Sequence, residues 1–376
     1  MDFSIFYYLI PVILAFLGMG LYDLGNRTKG KKLIWYFLYV YLVCLMGFRF
    51  EVGGDTLTYM SWFEYAKPLS RWTPFDITNI YEPGFTFIVA CVKEAGGEFV
   101  HFQIVHAIIL NTCIFCFISR KATFRFAALL CTFLIYYIYF STEILREAIA
   151  IFIFVLNFDY YIQRKWKSYY LIVIICIFFH LSSSFLLVLP LLAHLKCNYI
   201  FILYSIAFIL MCIVLQPIFT IIADVIPSIG AKAQGYGKHT YVGYLWAGLR
   251  FFQFTIIPIM VLIVSKRILR LSIPYEICYL ILILLGIGVL FVPIIFQRFT
   301  NYFTPLFALS VSHILVKGIK SVSINKNIAT VLVSLVLTIG YGSYYIYLDF
   351  YQRWIPYSSV FNPVVYNERY KFFGGG

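Results

Sequence analysis

An all-α polytopic membrane protein with about 12 transmembrane helices is the fold class this sequence predicts, and three observations predict it. Hydrophobic residues fill 62% of the 376 positions and charged residues only 12%, with a mean hydropathy of +0.88, so polar surface is too scarce to cover a soluble globule. The apolar runs are long and continuous rather than alternating in segments of about ten residues, which excludes a transmembrane barrel and leaves helices. Basic residues gather in short clusters between the runs, as they do in the cytoplasmic loops of multi-spanning proteins.

Taken in order, the apolar runs predict helices near 3–22, 33–48, 101–118, 126–141, 143–162, 168–181, 183–195, 199–222, 246–264, 275–296, 300–316 and 328–348. The first run has no basic leading segment and no small-residue cleavage site, so it is expected to stay as a helix. The nine cysteines lie mostly in or at the ends of apolar runs and read as small apolar fillers. Cys113 and Cys116 form a CxxC, but it has no second pair and no nearby His, which weighs against a metal or redox role.

The clusters at 27–32, 120–125, 164–167, 196, 266–270 and 317–326 hold 17 of the 29 basic residues. By the positive-inside rule they face the cytoplasm. That puts both termini and the loops at 49–84 and 227–245 on the opposite side, within one transmembrane domain over 1–348 and an extracytoplasmic tail over 349–376. The segment 84–100 is apolar enough to tempt a further span, but counting it would invert every later loop. Its apolar core is short and Lys93, Glu94 and Glu98 interrupt it, so a re-entrant or interfacial piece is expected. Of the 16 acidic residues only Asp23, Asp159 and Glu276 then fall near the cytoplasmic side. The net charge of +13 is therefore mostly topology, and short loop runs of this kind give no nucleic-acid signal.

Chemistry is expected where charge meets the outer ends of the runs. The stretch FRFEVGGDTLTY (48–59) sets Arg49, Glu51 and Asp55 around a double glycine directly after a membrane-length run. Gly53-Gly54 can turn successive N–H groups toward an anion, and a helix starting after them would put Asp55, Tyr59 and Phe63 on one face. Two readings stand: a carboxylate held at the mouth of the membrane domain for chemistry, or an ordinary loop in which Arg49 pairs with an acid.

In STEILREAIA (141–150), Glu143, Arg146 and Glu147 stand at i, i+3 and i+4 of one helical face. The blander alternative is a helix start capped by Ser141 or Thr142. FHLSSS (179–184) is a polar break carrying His180, which in such a place is more often structural than catalytic. QRFTNYF (297–303) adds Arg298 and Tyr302, and the tail adds Arg353, Trp354 and Tyr357, an aromatic and cationic group suited to a sugar face or to a membrane interface. Arg49, Arg146, Arg298 and Arg353 fall on one predicted face of the membrane, and the guanidinium fork suits a pyrophosphate head group. No Walker loop, zinc signature or nucleophile elbow is present, and no cofactor is expected.

The order of FRFEVGGDTLTY, YEPGF (81–85), LREAIA (145–150), FHLSSS and QRFTNYF resembles the EpsG family of bacterial polysaccharide polymerases, related to the Wzy polymerases of O-antigen, capsule and exopolysaccharide synthesis. Glu147 stands where that pattern would have glutamine, and Leu181 where lysine is common. The resemblance implies a C-type membrane glycosyltransferase fold in the bacterial cytoplasmic (inner) membrane. It implies a growing glycan moved from undecaprenyl pyrophosphate onto the next lipid-linked repeat unit at the outer face. Undecaprenyl-pyrophosphate-linked oligosaccharides and the lipid bilayer would be its partners, with a chain-length regulator and a flippase as candidate protein partners.

An acidic residue of the first extracytoplasmic loop acts at the reaction centre of such enzymes, which singles out Asp55, with Arg146 as the second catalytic candidate. Arg49, Glu51, Tyr59, Glu82, Glu143, His180, Arg298, Tyr302, Arg353 and Tyr357 are the expected substrate-binding set, and no metal is required if arginines neutralise the leaving group. Two other functions fit the same charges: a membrane O-acyltransferase that decorates surface glycans, and a lipid-linked glycan flippase that conducts the head group without forming a bond.

Overall fold

The structure, a computed structural model, describes residues 4–25, 27–73, 81–196, 198–225, 244–321, 324–325, 327–328 and 353–370. The expected loop at 227–245 and the expected helix at 328–348 lie almost wholly outside the described residues. Among the described residues there are helices, turns and isolated bridges but no strand. The chain divides into two compact units, residues 1–187 with 343–375, and residues 188–342.

The first unit opens with α1 (Ile5–Leu24) and α2 (Lys31–Gly47), then α3 (Thr56–Tyr65) and α4 (Pro83–Glu94). After these come α5 (Phe99–Lys121), α6 (Arg125–Thr142), α7 (Leu145–Leu156), the single turn α8 (Asp159–Ile162) and α9 (Trp166–Phe179). The long α5 is the spine, with α2 and α7 packed along it, α9 against α7, and α4 against α9. α5 starts two residues earlier than its hydropathy suggests because Glu98 and His101 close a reciprocal capping box over its first turn. Its buried polar side chains all have work: Asn111 accepts from Tyr137 Oη at 2.9 Å, and Gln103 Nε2 donates to the Arg49 carbonyl at 3.3 Å. The start of α6 is held from outside, since the Asp23 carboxylate accepts the Phe126 and Ala127 N–H groups at 2.8 and 2.9 Å.

The helix expected over 143–162 is broken twice. It begins at Leu145, after a turn at Glu143 and Ile144, and it stops at Leu156 before α8. Neither Ser141 nor Thr142 caps it: Ile144 holds the N-cap position, and the Thr142 hydroxyl bonds back to the Ile138 carbonyl at 2.7 Å. α4 has 12 residues, about 18 Å at 1.5 Å per residue, well short of a hydrocarbon core of roughly 30 Å. Gly84 lets its first turn approach the end of α9, where an added Cβ would sit 2.9 Å from the Phe178 carbonyl oxygen.

The second unit holds α10 (Tyr199–Val225), α11 (Ala247–Ile268), α12 (Glu276–Gly288), α13 (Pro293–Asn301) and α14 (Thr304–Ile319). α12 is its core and packs against the other four. The run expected as one helix over 275–296 divides because Pro293 has no N–H to continue the ladder and instead starts α13 at its first position. Among the described residues four helices are long and apolar enough to cross a membrane, α1, α5, α6 and α11. There are five if Ile295–Asn301 and Thr304–Ile319, bent by 50°, form one span.

Candidate functional site

The turn between α2 and α3 is fixed by main-chain bonds to a segment some three hundred residues later. Phe50 N–H donates to the Ser358 carbonyl at 2.9 Å, Val360 N–H to the Phe48 carbonyl at 2.9 Å, and Gly53 N–H to the Arg353 carbonyl at 2.9 Å. Arg49 lies inside this join. It is 1% exposed, and its guanidinium donates to the Met46 carbonyl and, at 3.3 Å, to the Val52 carbonyl. Burial pulls its pKa down to about 10, while Tyr357, Tyr8, Tyr137 and Glu143 oppose that pull, so it stays charged at neutral pH. Glu51 is also buried, in the left-handed region at φ 50°, with Arg369 of the tail in electrostatic range.

Gly53 and Gly54 do turn an amide onto an anion, and the anion belongs to the protein. Gly54 N–H donates to Glu143 Oε1 at 2.6 Å. Gly53 is at φ +113°, and a Cβ there would stand 2.8 Å from the Thr142 carbonyl oxygen. Trp354 Nε1 donates to Thr142 Oγ1 at 2.9 Å and to Glu143 Oε1 at 3.1 Å, and Arg353 Nη1 pairs with Glu143 Oε2 at 3.4 Å. Trp354 is 2% exposed, so its indole is a hydrogen-bonded anchor in this structure, with no open face for a sugar. Tyr357 completes the join, its Oη donating to the Leu45 carbonyl at 2.8 Å.

Asp55 follows at the N-cap of α3, exposed, and its carboxylate makes no capping bond to its own helix. Tyr59 and Phe63 do share a face one and two turns on, both buried, in a cluster with Phe85, Val89, Val92, Phe102 and Leu145. Burying aromatic side chains of this size contributes roughly 1.5–3 kcal/mol each, enough to seat α3 on α4 and α5.

Arg146 stands over that cluster. It pairs with Glu82, donates through Nε to Tyr59 Oη at 3.4 Å, and lies 4.2 Å from the Tyr81 ring centroid. Burial alone would raise the Glu82 pKa, but Arg146, His180 and the Leu181 N–H hold it below the ordinary carboxylate range. That N–H reaches Glu82 Oε1 at 3.1 Å. His180 Nδ1 accepts the Ser182 N–H at 3.2 Å and lies 2.6 Å from Ser182 Oγ. Burial raises the Tyr59 and Tyr81 pKa values, and in both the Arg146 charge opposes this while the Asp55 charge adds to it.

Asp55 thus lies within electrostatic range of Tyr59 and Tyr81, both of these engage Arg146, and Arg146 and His180 both act on Glu82. Glu143, Arg353 and Tyr357 belong to the adjoining join. Arg298 and Tyr302 belong to the second unit, where Tyr302 is fully buried. Sequence reasoning passed over Tyr81 as a site residue although it directly precedes Glu82, and it left Trp354 between a sugar face and a membrane interface, where the structure makes it a buried anchor. Among the described residues no group of three or more His, Cys, Asp or Glu side chains could hold a metal ion.

The family model described as EpsG family matches residues 32–359. No curated protein matches the chain, and no solved structure does.

Proposed function

We propose that this protein, which belongs to the EpsG family, is a polysaccharide polymerase of the glycosyltransferase class. It lengthens an undecaprenyl-pyrophosphate-linked glycan by one lipid-linked repeat unit per cycle at the outer face of the bacterial cytoplasmic membrane. The about 12 spans of a C-type glycosyltransferase fold and an extracytoplasmic site belong to the same proposal. The observation that carries it is the meeting of Asp55, Tyr59, Glu82, Arg146 and His180, drawn from four separate polar breaks in an otherwise apolar chain.

In the proposed reaction an acceptor sugar hydroxyl attacks the anomeric carbon of the donor glycan. The new bond is C–O, the bond that breaks joins that carbon to the pyrophosphate oxygen, and the configuration inverts. Asp55, exposed beside the cluster, takes the hydroxyl proton, a role that typically contributes about 10² to 10⁴ in rate. Arg146 meets the charge that develops on the departing pyrophosphate. Preorganised donors of this kind are worth a few kcal/mol, and Arg146 is preorganised here by Glu82, Tyr59 and Tyr81. Tyr59 and Tyr81 keep their hydroxyl protons at neutral pH and so remain donors. Buried Arg49 holds the loop.

Incubation of the purified protein with a defined lipid-linked oligosaccharide tests the reading. A ladder of products spaced by one repeat unit is the expected result. Acylated glycan of unchanged length would move the assignment to an acyltransferase, and translocation without a new glycosidic bond would move it to a flippase.

A further inference from the structure

We infer that Glu143 is a positioning residue, whose buried carboxylate latches the Gly53-Gly54 turn to the C-terminal segment at Arg353 and Trp354 and so fixes where Asp55 stands. This rests on the polymerase reading for what Asp55 does, and on geometry alone for the latch.

Glu143 is 3% exposed, too enclosed to meet a head group directly. Its oxygens face donors from two remote segments: Gly54 N–H at 2.6 Å, Trp354 Nε1 at 3.1 Å and Arg353 Nη1 at 3.4 Å. An ionised acceptor makes each such bond stronger than a neutral pair would. Arg49 adds its charge from the other side of the turn. The glycines are required by this closeness, because a Cβ on Gly54 would fall 2.8 Å from Glu143 Oε2 and 2.9 Å from Arg353 Nη1. The break between α6 and α7 places the carboxylate, since Glu143 sits in the turn and not on the helix face that carries Arg146.

A short stretch therefore sets two things at once. Through Gly54 it fixes Asp55, the next residue, and in the first turn of α7 it carries Arg146, so the base and the group facing pyrophosphate share a single frame. The tail is part of that frame. A misplacement of about 1 Å in such a frame can cost about 10²-fold in rate.

The test uses the full chain in lipid nanodiscs, with Glu143→Gln, Glu143→Ala and Trp354→Phe, the last removing the indole donor while keeping an aromatic ring. Hydrogen exchange over residues 53–59 and steady-state polymerisation are measured together. The expected result is exchange of the Gly54 amide faster by about tenfold or more, with kcat lower by about 10- to 100-fold and KM for the lipid-linked substrate within about twofold of wild type. Glu143→Gln, which keeps an acceptor oxygen, should fall less far than Glu143→Ala.

Unchanged Gly54 exchange in Glu143→Ala and Trp354→Phe would overturn the latch. Faster exchange with kcat at the wild-type level would overturn the positioning role, as would a tenfold rise in KM at unchanged kcat, which would make Glu143 a substrate contact. Should Glu143→Ala fail to fold, Trp354→Phe decides. Should wild-type protein make no polymer, the polymerase reading fails while the exchange arm still decides the latch.

Discussion

The Arg146 guanidinium lies 4.2 Å from the centroid of the Tyr81 ring while its Nη1 pairs with the carboxylate of the next residue, Glu82. One dipeptide thus engages both the face and the edge of the same planar cation. A ring under a guanidinium is worth roughly 0.5–2 kcal/mol, but its larger effect here is to fix the plane in which the donors point.

Arg146→Lys tests that plane. Lysine keeps the charge but has no fork, so kcat is expected to fall by about 10²-fold, the scale of losing one preorganised donor, with little change in thermal stability. Steady-state kinetics on lipid-linked substrate check it, and wild-type kcat would remove the bidentate role.

Glu82→Gln tests the ion pair through pH. The folded-state pKa of Glu82 lies below its ordinary value, so the pair's stabilising contribution is fully present above about pH 4.3 and is lost as pH falls through the depressed pKa. The difference in melting temperature between wild type and Glu82→Gln should therefore be flat from pH 8 to about pH 5 and shrink below about pH 4. A difference that shrinks between pH 8 and 6 would contradict the assignment.

Gly53→Ala and Gly96→Ala separate crowding from backbone strain. Both positions have positive φ, +113° and +73°, but only Gly53 is crowded, and Gly96 has nothing within 4 Å of an added Cβ. Gly96→Ala is expected to cost about 1 kcal/mol. Gly53→Ala is expected to cost about 2–4 kcal/mol, since strain and overpacking add, and to lower activity with it. Denaturation and activity assays on both variants check the ordering.

Arg49→Lys distinguishes a loop-holding arginine from a substrate contact. Lysine cannot reach both the Met46 and Val52 carbonyls as the guanidinium does. A loss of about 1–3 kcal/mol in stability with KM unchanged is expected. A raised KM at unchanged stability would return Arg49 to the substrate.

The parts of this molecule that the sequence made legible are local ones. Apolar runs located α1, α2, α5, α6 and α9, and a double glycine before a helical pattern put Tyr59 and Phe63 on one buried face. What was not legible depends on residues far apart in the chain. The break at Glu143 makes sense once Gly54, 89 residues earlier, and Arg353, 210 residues later, are seen to converge on its carboxylate. Read as one helical face, Glu143, Arg146 and Glu147 looked like a single constellation. In the fold they part company, to the tail, to Glu82 and into the core. Trp354 was likewise ambiguous, because an indole at an interface and an indole donating to a buried carboxylate look alike until the partner is known.

The most direct test of the central claim is the rate of glycosidic bond formation by Asp55→Asn in a single turnover with pre-bound lipid-linked donor and acceptor. Asparagine preserves size and the N-cap position but cannot take the hydroxyl proton, so substrate binding is expected to persist while bond formation slows by about 10² to 10⁴-fold. Bond formation at the wild-type rate would contradict the account and remove Asp55 as the base.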